Sequence, residues 1–170
     1  MEVTIKHSIF STPLEDRYFE DYAPQSVHEF GRIEVLEDDV IDFGRRFDPQ
    51  PFHTDPELAR HSVHGGLIAS GWHTGSMAMR MLADNFVSKV ASIGSPGIDE
   101  VRWLKPVRPG DILSVRATIT ATRRSRTRPD RGIVTTFIEV LNQQRETVMS
   151  WTGSGFYLCR LENAAVKNPG

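Results

Sequence analysis

The stretch "DILSVRATITAT" at residues 111–122 alternates apolar and polar side chains along its whole length. Leu113, Val115, Ala117, Ile119 and Ala121 fall on one side, and Ser114, Arg116, Thr118 and Thr120 on the other. A period of two sends successive side chains to opposite faces, so this segment is an extended strand with one face buried. One strand cannot cover that face alone. Three more segments of the same character surround it: "IDEVRWLKPV" (98–107), "GIVTTFIEVLN" (132–142) and "TVMSWTGSGFYLCR" (147–160). Turns containing Pro109-Gly110, Pro129-Asp130 and Asn142-Gln143-Gln144 separate them, the order expected of antiparallel hairpins. "VHEFGRIEV" (27–35) reads as a strand that precedes all of these.

Between that first strand and the hairpins the period changes. "EDDVIDFGRRF" (37–47) reads as a short helix with acids at its N-terminal end, where the helix dipole favours them. Thr54 and Glu57 stand as a capping box with Pro56 in the first turn, so a second short helix is expected from just after His53 to about His61. From about Ser70 to Asn85, Trp72, Met77, Met79, Met81 and Leu82 lie on several faces, which marks a buried helix. The layout is α+β, an antiparallel sheet wrapped on one buried central helix. Residues 1–25 read as an irregular segment along the surface, 26–162 as one domain and 163–170 as a tail. One such sheet covers one side of the helix well, so a homodimer joined edge to edge is expected.

Charge and cysteine count narrow the setting. With 170 residues, a core of useful size needs no disulfide staple. A formal net charge of −2 gives no general pull toward nucleic acid or an anionic membrane. A single cysteine, Cys159, leaves no intrachain disulfide and fits a reducing compartment. The first residues carry acids and no apolar run, so no signal peptide and no membrane span are expected, and the cytoplasm is the expected location.

The chemistry concentrates in "FDPQPFHTDPELA" (47–59). Asp48 and His53 stand five positions apart with Pro49 and Pro51 fixing φ between them, which suits preorganisation. Unperturbed values of about 3.9 for Asp and about 6.5 for His leave both able to accept hydrogen bonds from water near neutral pH. Positioned acid–base groups contribute about 10²- to 10⁴-fold in rate. Each residue alone also fits a plain structural role, Asp48 as a turn residue and His53 beside a helix end. Gly71 sits at the expected start of the buried helix, where free N–H groups and the dipole can hold developing negative charge. It equally fits close packing of strand on helix.

Asp48, Pro51, His53, Asp55, the "GGLIASG" stretch ending at Gly71 and "VRWLKPVRPGD" (101–111) together resemble the MaoC-like dehydratase family. "RYFEDY" (17–22) resembles the start of many such chains, and the resemblance spans roughly residues 17–160. It implies the hot-dog fold and the reversible addition of water to a trans-2-enoyl thioester of coenzyme A or acyl carrier protein. Asp48 and His53 would activate the water, and the Gly71 N–H would bind the thioester oxygen. The resemblance implies no metal, no redox cofactor, and a dimer with the acyl pocket near the subunit interface. Gln50 stands where the family often has Asn, and Ser70 where it often has His. These departures leave the acid, the histidine and the glycine in place, so they bear on substrate rather than reaction class. Gln50, Ser70 and Trp72 are the candidate substrate contacts beside them.

Other readings compete. His53, His61, His64 and His73 fall close enough to suggest metal ligands, but their spacing matches no strong motif. "TRRSRTRPDR" (122–131) is most simply a solvated hairpin turn, although Arg124 and Arg126 suit the phosphates of coenzyme A, and such a run also suits nucleic acid. A hot-dog thioesterase would turn the Asp48 water against the carbonyl carbon. A non-catalytic acyl-thioester binding subunit would bind without turnover.

Overall fold

The five segments read as strands all pair, and they pair in one sheet. A computed structural model of the chain describes residues 10–160, so the tail expected at 163–170 lies outside the described residues. The strands are β1 (Val27–Glu34), β2 (Gly97–Trp103), β3 (Ile112–Arg124), β4 (Arg131–Leu141) and β5 (Thr147–Leu158). They form an antiparallel sheet of order β1-β3-β4-β5-β2, with β1 and β2 at its edges.

The alternation in β3 does what its period requires. Leu113, Val115, Ala117 and Ile119 are fully buried, facing the inner side of the sheet. Ala121, expected on the same face, is exposed instead, because the β3–β4 register slips between Ile119 and Ala121. On β4, Val134, Ile138 and Val140 supply the same inner face. Strand β2 is shorter than expected and nearly all exposed, with a register break between Asp99 and Arg102 and Glu100 at φ 54°.

Four helices connect β1 to β2: α1 (Glu37–Phe47), α2 (Pro51–Thr54), α3 (Pro56–Arg60) and α4 (Gly71–Asn85). Helix α4 is cradled by the sheet, packing on β1, β3 and β5 through Met77, Ala78, Met81 and Leu82. It is not apolar all round as expected: Trp72 and Met79 stand about half exposed on its far side. A separate short helix, α2, carries His53 itself, and the helix expected after His53 is α3. Its start is capped by Asp55 rather than Thr54, since Asp55 Oδ1 accepts from the N–H groups of Glu57 (2.8 Å) and Leu58 (3.0 Å). Thr54 turns back, donating to the Gln50 carbonyl at 3.1 Å.

The N-terminal segment is not merely a surface strap. Tyr22 is buried against Phe86 and Tyr157, and its hydroxyl donates to the Phe86 carbonyl at 2.9 Å. Among the described residues no helix is long and apolar enough to cross a membrane.

Candidate active site

Asp48 and His53 meet because two short helices touch through their backbones. Asp48 caps the C-terminus of α1, its N–H donating to the Gly44 carbonyl at 2.9 Å. His53 lies on α2, and its carbonyl oxygen sits 2.7 Å from where a Cβ on Gly44 would be. Any larger residue at 44 would push the helices apart, so glycine sets the spacing of the pair. Gln50 and Pro51 make the corner: Pro51 occupies the first helical position, where its missing N–H costs nothing.

His53 is buried and its ring is fixed. Nδ1 lies 2.8 Å from the Ile68 carbonyl, which can only accept, so Nδ1 carries the proton in the neutral ring. The Ile68 N–H in turn donates to the Phe52 carbonyl at 3.1 Å, so α2 is stitched to the loop before α4 in both directions. Nε2 then presents a lone pair 3.3 Å from Asp48 Oδ2. Asp48 accepts from Gln50 Nε2 at 2.8 Å on one oxygen and from the Ser70 hydroxyl at 2.7 Å on the other. Partial burial works against its ionisation, but these two hydrogen bonds outweigh it and hold the carboxyl below the usual carboxylate range. Two acceptors side by side, one a carboxylate and one an imidazole nitrogen, suit the two hydrogens of a single water.

Ser70 ties this pair to α4. It is the N-cap residue, accepting from the Trp72 N–H at 3.3 Å while donating to Asp48. Gly71 is the first residue of the helix, and its N–H makes no bond to another backbone group. The features behind both readings of this glycine are present. Its N–H is free, and Trp103 at the end of β2 packs where a side chain would be, with Cδ1 2.6 Å from the Cβ position.

These groups line one cleft of about 460 Å³, walled by Phe52, His64, Trp72, Trp103 and Val107. Asp48, Gln50, His53, Gly71 and Trp72 all border it, with Ser70 directly behind. Arg124 and Arg126 are elsewhere: Arg124 contacts Cys159 and Glu20 at the far end of β3, and Arg126 lies in the exposed β3–β4 hairpin. The four histidines disperse. His64 joins His53 at the cleft, His61 is exposed, and His73 stacks on Phe43 with ring centroids 4.7 Å apart. Among the described residues no three His, Cys, Asp or Glu side chains are grouped to hold a metal ion. Trp103 and the Ile68 carbonyl were not singled out by the sequence reading. Trp103 lies inside the 101–111 motif, but only the crossing of β2 over the start of α4 reveals its role.

The sequence profile of the MaoC-like domain matches residues 18–140, well over half of the chain. The chain belongs to the MaoC-like family. The crystal structure of a MaoC-like dehydratase from Rhodospirillum rubrum is 40% identical, covering 86% of this chain and 99% of that one, with a TM-score of 0.77. The R-hydratase PhaJ1 of Pseudomonas aeruginosa is 18% identical over 90% of this chain and 95% of its own, with a TM-score of 0.68. A protein from Mycobacterium tuberculosis with a double hotdog fold covers 91% of this chain and 46% of its own, at 12% identity and a TM-score of 0.73. This MaoC-like chain therefore has the hot-dog fold, with α4 as the central helix and the five strands as its wrapping.

Proposed function

We propose that this MaoC-like protein is an enoyl-thioester hydratase, adding water reversibly to a trans-2-enoyl group carried on coenzyme A or acyl carrier protein. The observation that carries the reading is the pairing of two acceptors, Asp48 Oδ2 and His53 Nε2 3.3 Å apart, beside the free N–H of Gly71 in one cleft. A water held by the pair faces the double bond. Its oxygen bonds to C3 as one proton passes to the pair, and the C2–C3 π electrons move onto the thioester oxygen. The Gly71 N–H and the positive end of α4 hold that oxygen while it is negative. The proton then returns to C2 as the carbonyl reforms, and the sum is one water added.

The same reading includes a homodimer. Among the described residues edge strand β2 has no outer partner, and Ile98 and Leu104 on and beside it are about half exposed. Pairing two such edges would cover them. The free thiol of Cys159 accords with a cytoplasmic setting.

The test is a spectrophotometric assay with crotonyl-CoA, reading enoyl absorbance and free thiol together, with Asp48→Asn as control. Loss of conjugation without thiol, absent in the variant, is the expected result. Thiol release would make the protein a thioesterase. Tight binding of acyl-CoA with neither change would make it a binding subunit.

A further inference from the structure

Trp103 carries a donor that nothing in the fold uses. Its indole lies against the α-carbon of Gly71, and its edge meets Trp72 with ring centroids 5.3 Å apart and planes at 77°. The atoms closest to the Gly71 Cβ position belong to the five-membered ring, Nε1 nearest of all. The backbone behind it is fixed: Trp103 pairs with Met149, and the next two N–H groups, of Leu104 and Lys105, both donate to the Val148 carbonyl. Yet the side chain is 50% exposed, lines the cleft, and finds no hydrogen-bond acceptor among the described residues. An indole N–H donates and never accepts, and here it is left for solvent or for a ligand in the cleft.

We infer that the Trp103 indole N–H is a second hydrogen-bond donor to the thioester oxygen, acting alongside the Gly71 N–H. The inference rests on the hydratase reading for its reaction, but not for its contact. Two donors from different elements, one at the N-terminus of α4 and one at the end of β2, border the same cleft next to one another. A carbonyl oxygen has two lone pairs and can accept both. The oxygen gains charge as C3 is attacked, so the second bond strengthens in the transition state and acts on kcat more than on KM. This makes Trp103 a catalytic residue for the carbonyl, with Asp48 and His53 serving the water.

The experiment compares wild type with Trp103→Phe, which keeps a ring over Gly71 and removes the N–H. In steady state on crotonyl-CoA, kcat falls about 10²-fold in Trp103→Phe while KM moves only a few-fold. A kcat within twofold of wild type overturns the inference. A second readout needs no turnover. In protein labelled with ¹⁵N-tryptophan, the chain's three indole N–H signals are followed as butyryl-CoA is added. The Trp103 signal is identified by its loss in Trp103→Phe, or by elimination with Trp72→Phe and Trp151→Phe if that variant does not fold. It moves downfield on binding if it donates to the carbonyl. An unmoved signal overturns the inference whatever the kinetics. If wild type does not hydrate crotonyl-CoA, the hydratase reading fails by itself, and the indole signal still decides the contact.

Discussion

Gly71→Ala should reverse the ordinary effect of that substitution. Alanine is favoured over glycine in a helix interior by up to about 1 kcal/mol, and by less at the first helical position. Here the new methyl would land 2.6 Å from Trp103 Cδ1 and closer still to Nε1 and Cε2. Carbon atoms at optimal separation are about 3.5–4.0 Å apart, so the indole has to move. It is half exposed and can swing toward solvent, forfeiting its edge-to-face contact with Trp72, worth about 0.5–1.5 kcal/mol, and its cover over the helix start. The net result is a loss of about 1 kcal/mol, a fall in Tm of about 2–4 °C for a chain of this size. Activity suffers more, since displacing a donor by about 1 Å costs on the order of 10²-fold. Denaturant melts measure the first effect and crotonyl-CoA turnover the second. Repeating Gly71→Ala in a Trp103→Ala background isolates the cause: there it should be neutral or slightly stabilising. An equal cost in both backgrounds would refute the argument that Trp103 is what excludes a side chain at 71.

Asp48→Asn and His53→Ala should each lower turnover at least 10²-fold with the protein still folded, as checked by kinetics beside circular dichroism. Ser70→Ala removes a helix cap and a hydrogen bond to a carboxylate. About 1–2 kcal/mol of stability should be lost in denaturant melts, since Asp48 can partly replace the bond with water. In the same variant the acid limb of the kcat/KM profile should move to higher pH, because Asp48 loses a bond that favours its charged form. His73 is buried with Nδ1 unpartnered, and burial lowers its pKa while Asp39 opposes weakly. Its folded value thus lies below the unfolded value of about 6.5. Its contribution is intact above that pH and is lost as pH falls through the lowered folded value. The stability of wild type minus that of His73→Phe, followed by urea melts, should decline with acid over that window.

The fold was legible where a single period ran uninterrupted. The span 37–47 is helical from end to end because its acids, its amphipathic spacing and its two C-terminal arginines all agree. The alternation of β3 located the inner face of the sheet as far as Ile119, and it failed at Ala121 because a register slip leaves no local trace. Around residue 54 the cap was expected at Thr54, and Asp55 takes it instead. The aspartate directly before Pro56 won, since its carboxylate reaches two free N–H groups at once. At the site, the proline-fixed pair was visible because its members are near in sequence. The Ile68 carbonyl that orients His53 and the Trp103 ring that covers Gly71 were not, because a chain crossing unites them. Arg124 and Arg126 are a different case: phosphate chemistry was readable in their type, and β3 and its hairpin place them outside this cleft.

The contact between Gly44 and the His53 carbonyl has a consequence for how such a protein can change. The spacing of the two helices that carry the acid and the imidazole is held by main chain against main chain. The walls of the cleft are made instead by side chains of α2, of the loop before α4, of α4, of β2 and of the segment that follows it. Those walls can be remodelled one residue at a time, widened, narrowed or made polar, while the distance from Asp48 to His53 stays as it is. New acyl groups would then be admitted by editing Trp72 or Val107, and the step that handles water would pass from one substrate to the next without being rebuilt.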